Sequence, residues 1–208
     1  MIGGDSDYAL ARLHARRASG MRAEDWRGLG KARGTGAVIA QLRTSAAGRW
    51  VAHLADSADP HGIEAELRER FRERVREIAA WADPCWQGAL HWCEGLVERR
   101  PLDAGDADPA PAWLGELRRR MPPLAGEDRN EFAWLLRALD EHRRAFAGMA
   151  AGNGWHLREE LQHSLASRMG RKRLCAVHLL TAVALLWLEH ERVRGELLRW
   201  AALPGARP

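Results

Sequence analysis

The stretch Leu174-Cys-Ala-Val-His-Leu-Leu-Thr-Ala-Val-Ala-Leu-Leu-Trp-Leu188, continued by Glu189-His-Glu-Arg-Val-Arg-Gly-Glu-Leu-Leu-Arg-Trp200, decides the fold. Its first half is apolar on every side of a helix, whereas its second half keeps only a stripe of Val193, Leu197 and Trp200. A helix apolar all round is buried, and one with a single stripe lies on a surface. The spacing therefore predicts one helix from Arg171 to Leu203 that enters a core and comes out of it. The apolar run holds His178 and Thr181 and falls short of the about 20 apolar residues that a membrane span needs. It reads as a core helix, not a membrane anchor.

Composition sets the frame around that helix. The 208 residues are 46% hydrophobic and 29% charged, which is ordinary globular composition. The formal net charge is +4, and lysine stands only at positions 31 and 172, so the basic excess is almost entirely arginine. Such a bias is the habit of a GC-rich bacterial genome more than the mark of a partner. Cys85, Cys93 and Cys175 make an odd count in apolar helical contexts and read as reduced thiols, not a disulfide framework. The first residues have no basic stretch followed by an apolar one, so no signal peptide is expected and the protein is placed in the cytoplasm.

Upstream, the chain reads as helices separated by short breaks. Asp7 to Ser19, Met21 to Ala32 and Ala37 to Thr44 are three short helices, each too weak to stand alone. Ile63, Leu67, Phe71, Val75, Ile78 and Trp81 then follow at steps of three and four, a single apolar face over several turns that Asp83-Pro84 ends. A second helix carries Trp86, Leu90, Cys93, Leu96 and Val97 before Arg99-Arg100-Pro101. Residues 102–111 are rich in Asp, Ala, Gly and Pro and read as a linker. A short helix bears Trp113, Leu114 and Leu117. Asp128 with Glu131 has the shape of a capping box opening a helix to Met149. Trp155 to Arg168 forms one more, and Gly170 separates it from the last. No stretch alternates apolar and polar residues with β-branched enrichment, so the fold class is all-α. The domain reading is an N-terminal helical lobe over 1–101, a linker with a short helix over 102–127 and a C-terminal lobe over 128–208. The two lobes are able to pack as one domain.

Chemistry-bearing motifs are sparse. Gly28-Leu-Gly30-Lys-Ala-Arg33 fails as a dinucleotide fingerprint at its sixth position, and Lys31-Ala32 fails as a phosphate loop. His156, Glu160 and His163 share a helical face with Glu159, and Glu160-x-x-His163 has the spacing used in bundle di-metal sites. No second copy of that motif exists, which favours a solvated polar face over a metal site. Arginine clusters at 118–120 and 168–173 lie near helix ends, where cations are favourable anyway. No recognised nucleic-acid module accompanies them, so nucleic-acid binding is not expected. No catalytic residue and no cofactor is assigned.

One resemblance goes further. Tyr8-Ala-Leu-Ala-Arg12-Leu-His-Ala-Arg16, followed by Ser19-Gly-Met21, Glu24-Asp25-Trp26, Leu29 and Val38-Ile-Ala-Gln-Leu42-Arg-Thr44, resembles the opening of the V-type and A-type ATPase subunit d/C family. Ile63-Glu64-Ala-Glu-Leu67 is similar to the start of that family's long amphipathic helix. Leu188-Glu189-His190-Glu191 and Gly195-Glu-Leu-Leu-Arg199 approximate its C-terminal signature, with Trp187 in place of the usual tyrosine and Gly195 in place of an asparagine.

The resemblance implies a funnel-like array of antiparallel helical lobes, here with about one lobe fewer. It further implies a non-catalytic adaptor on the inner face of the cell membrane, coupling the central-shaft subunits of a rotary ATPase to the membrane proteolipid ring in proton or sodium transport. The partner-facing residues it points to are Tyr8, Arg12, Arg16, Glu189, Glu191, Arg194 and Arg199, of which the last four face either neighbouring helices or the partner. Two other readings stay open at this point. One is a helical scaffold or regulator unrelated to the ATPase, and the other a small metal-dependent helical enzyme built on His156, Glu160 and His163.

Overall fold

The computed structural model describes residues 3–18, 21, 23–98, 109–147, 154–171 and 175–202. The fold is all-α, and among the described residues there is no strand. Three helices open the chain, α1 (Gly3–Ala18), α2 (Ala23–Leu29) and α3 (Thr35–Arg43), followed by a single turn, α4 (Gly48–Val51). That turn escapes a periodicity reading because four residues hold too little pattern. It nonetheless buries Trp50 and Val51 completely.

The long helix α5 (Pro60–Trp81) forms where its start and stop signals are strongest. The Asp59 side chain accepts a hydrogen bond from the Gly62 N–H at 2.7 Å, and Pro60 occupies the first turn, where a missing N–H costs nothing. Its inner face, from Ile63 through Phe71 to Ile78, is at most 3% exposed. On the outer faces Arg70 pairs with Glu66 and Glu73 at 2.7 Å each, contacts worth a few tenths of a kcal/mol apiece. Ala82 turns extended before the proline and ends the helix.

Asp83 then caps α6 (Pro84–Trp92) by accepting from the Cys85 N–H at 2.9 Å. The helix expected to carry Cys93, Leu96 and Val97 tightens there into a 3₁₀ segment, Cys93–Val97, around the helix-weakening Gly95. The region read as a linker is shorter than expected. Pro109 to Pro111 belong to α7 (Pro109–Arg120), since proline is tolerated in a first helical turn, and the remainder lies outside the described residues.

The chain returns through α8 (Gly126–Ala147), α9 (Gly154–Arg171) and α10 (His178–Ala202). Because α8 begins at Gly126, Asp128 and Glu131 sit inside the helix and form no capping box. Glu131 instead reaches across to Arg168 of α9, which donates to both carboxylate oxygens at 2.9 and 2.6 Å. Gly170 does not break α9, which runs one residue past it. The last helix starts at His178, later than Arg171. A tight turn precedes it, with the His178 N–H donating to the Cys175 carbonyl at 3.0 Å and the Leu179 N–H to Ala176 at 3.1 Å.

The two halves of α10 differ as their composition dictates. Leu179, Leu180, Val183 and Leu188 are all buried, whereas in the second half Val193 and Leu197 are buried and Trp200 only partly so. This helix packs most extensively on α5 and also on α9, α3 and α1. One hydrophobic core therefore runs from Ala9 to Leu197 and includes residues of both expected lobes. No described helix is long and apolar enough to cross a membrane.

Candidate functional site

Charged residues converge where α10 leaves the core. Arg49 of α4 lies 3.2 Å from Glu189, and Arg194 donates through Nε to Glu64 of α5 at 2.7 Å. Arg158 of α9 lies 3.3 Å from Glu191, and Arg192 lies 3.1 Å from Glu159. Four successive charges of α10's polar side are thus tied to three different helices. Isolated buried charges cost several kcal/mol, but paired ones come near to breaking even and fix which groups can meet. The ladder sets the rotation of α10 in its groove.

Burial pushes the Glu64 carboxyl up, and the hydrogen bond and charge of Arg194, helped by Arg68, outweigh that and hold it below the ordinary carboxylate range. Glu191 behaves alike: burial raises it, while His190, Arg158 and Arg194 bring it down. Glu196, one turn on, is the opposite case, because burial raises it and Arg199 and Arg192 do not compensate.

His190 sits at the centre, 1% exposed, with its ring edge-on to Trp50 at 5.8 Å and to Phe71 at 5.7 Å between centroids. Its Nδ1 is 3.3 Å from Glu191 without hydrogen-bond alignment.

The sequence-derived interface residues divide into two groups. Glu189, Glu191 and Arg194 spend their charges inside the fold. Tyr8, Arg12 and Arg199 face outward. Arg12 donates from Nη1 to the Tyr8 hydroxyl at 2.8 Å, and its guanidinium lies 4.4 Å over the Trp81 ring. Arg199 lies 5.7 Å over Trp200. The side chain of Arg16 lies outside the described residues.

His156, Glu160 and His163 lie with Glu159, Ser164 and Ser167 along one side of α9, where His156 approaches Glu160 to 3.6 Å. Among the described residues no group of three or more His, Cys, Asp or Glu side chains is arranged to hold a metal ion. The cysteines are thiols held protonated, the Cys85 thiol pushed up to about 11 and those of Cys93 and Cys175 to about 12, chiefly by burial.

Arg49 and Arg158 escape sequence reading, and so does the pairing of Glu131 with Arg168, because the partners lie far apart in the chain and no local spacing marks them. Glu64 stands inside a quoted motif, yet its pairing with Arg194 has no local signal either. No family model matches the chain, and neither a curated protein nor a solved structure does.

Proposed function

We propose that the chain is a non-catalytic helical adaptor of a V-type or A-type rotary ATPase, seated between the central shaft and the proteolipid ring at the inner face of the membrane and serving proton or sodium transport. One observation carries this reading beyond the motifs themselves. The three stretches on which the resemblance rests, far apart in the chain, meet in space: α1 packs on both α5 and α10, and α5 packs on α10. Glu64 of the second stretch and Arg194, next to the third, are joined directly by an ion pair.

In this reading the ladder holds α10 rigid, and binding falls to outward groups such as Tyr8, Arg12 and Arg199. Contact with the membrane runs through protein partners. The test is affinity purification of the full chain, tagged at its C-terminus, from gently solubilised membranes of its own source. Proteolipid and shaft subunits should co-purify in fixed ratio. Recovery of the intact ATPase from the same membranes without this chain would overturn the proposal.

A further inference from the structure

The outward face of α1 is built differently from the rest of the surface. Tyr8 is 55% exposed, and no other large hydrophobic side chain is exposed among the described residues. Beside it the Arg12 guanidinium is held by three contacts. It donates to the Tyr8 hydroxyl, lies 5.5 Å from that ring and stacks 4.4 Å over Trp81 of α5. Among the described residues Arg12 meets no carboxylate. Elsewhere, exposed arginines such as Arg76 and Arg119 are taken up by glutamates of their own or neighbouring helices.

The consequence is an arginine fixed in orientation with hydrogen-bond donors to spare. Ordering a long side chain on binding costs about 0.5–1.5 kcal/mol, and here the two rings have already met much of that cost. The planar fork matches a carboxylate with two parallel hydrogen bonds, and the exposed tyrosine ring offers apolar area beside it. Along α1 the charge changes sign, Asp5 and Asp7 preceding Tyr8 and Arg12, Arg16 and Arg17 following it, so the arginine end of the helix is the end that suits an acidic partner. The backing is firm, since Ala9, Leu10 and Leu13 of the same helix are buried in the core.

We infer that the Tyr8–Arg12–Trp81 face of α1 is a docking surface for an acidic segment of a partner protein, with a partner carboxylate on Arg12 and an apolar side chain against Tyr8. It rests on the adaptor reading in taking the occupant to be a protein. A nucleic acid would ask for a longer basic stripe than one helix face, and the chain's net charge is only +4.

A photoreactive amino acid at Ala11, an exposed position on the same helix, tests this in the full chain while leaving Tyr8 and Arg12 intact. Irradiation in cells, followed by mass spectrometry of the adducts, should yield a peptide of another protein rich in Asp or Glu. Arg12→Gln should reduce the adduct roughly tenfold, the scale of a lost charge-assisted hydrogen bond, with Arg12→Lys between the two. Circular dichroism and melting of both variants should match the parent. Adducts only with a second copy of this chain, with lipid or with nucleic acid would overturn the inference, as would no adduct or an adduct indifferent to Arg12→Gln. An acidic peptide from a protein outside the ATPase would keep this surface and remove the adaptor reading. Co-purification of the ATPase without an adduct at position 11 would do the reverse.

Discussion

Glu64 and Glu196 both lie where α10 emerges from the core, yet their carboxyls move in opposite directions. Glu64 is held in its charged form by Arg194. It therefore contributes stability that is present above the unfolded carboxylate value of about 4.3 and is lost as pH falls through its lower folded value. Glu196 has an oxygen buried without a hydrogen-bond partner, and burial favours its protonated form. Its contribution is complete below about 4.3 and is lost as pH rises through its higher folded value. Urea midpoints followed from pH 7 down to about 3 should separate the two. Glu64→Gln should lower the midpoint at neutral pH and flatten its fall in acid. Glu196→Gln should raise the midpoint at neutral pH, and the gain should vanish in acid. A neutral-pH loss from Glu196→Gln would mean that its carboxylate makes a favourable contact and that its assignment as a strained group is wrong.

At the scale of elements, stability rests on the seam between α5 and α10. Phe71 is fully buried there, against His190 of α10. Phe71→Ala should cost about 3–5 kcal/mol through lost burial and the cavity left behind. Arg70→Ala on the outer face of the same helix should cost under about 1 kcal/mol, because ion pairs three and four residues apart on one helix contribute a few tenths of a kcal/mol each. Equal losses measured by denaturant unfolding would show that the seam is not what holds the fold.

The body of α5 was legible in the sequence, since six apolar residues repeat at three and four and Asp59-Pro60 and Asp83-Pro84 bracket them. The switch in α10 from buried to striped was legible for the same reason. Its start was not, because residues 174–177 are as apolar in a tight turn as in a helix, and composition alone does not tell the two apart. Asp128 and Glu131 carry capping-box spacing, but the helix starts earlier and Arg168 claims the glutamate. Of the ion ladder, Glu189, Glu191 and Arg194 were marked as facing neighbouring helices or a partner, but their pairings were illegible: Arg49 and Glu189 are 140 residues apart, and the packing of α4 and α10 on the same helices, α3 and α5, brings them together. The outward half of the candidate interface, Tyr8 and Arg12, was marked by resemblance. Its aromatic support from Trp81 was not, because Trp81 reads simply as the last member of α5's apolar face.

For the whole molecule, the account joins a rigid interior to a particular surface. The helices carrying the three family-like stretches share one core, and α5 and α10 are joined as well by the partly buried Arg194–Glu64 pair. The charges of Glu189, Glu191 and Arg194 therefore serve the fold, and the proposed recognition falls to the face of α1 and to exposed groups such as Arg199. In the proposed adaptor role, the ion-pair ladder would hold the helices together while the small face of α1 meets the partner. The most direct measurement is reassembly. Purified full-length chain is mixed with proteolipid ring in detergent and with isolated central-shaft subunits of the source organism's rotary ATPase, and the complexes are sized by analytical ultracentrifugation. The account predicts a complex containing ring, this chain and shaft that does not form when the chain is left out. A ring and shaft that join equally well without the chain, or a chain that sediments alone in the presence of both, would contradict it.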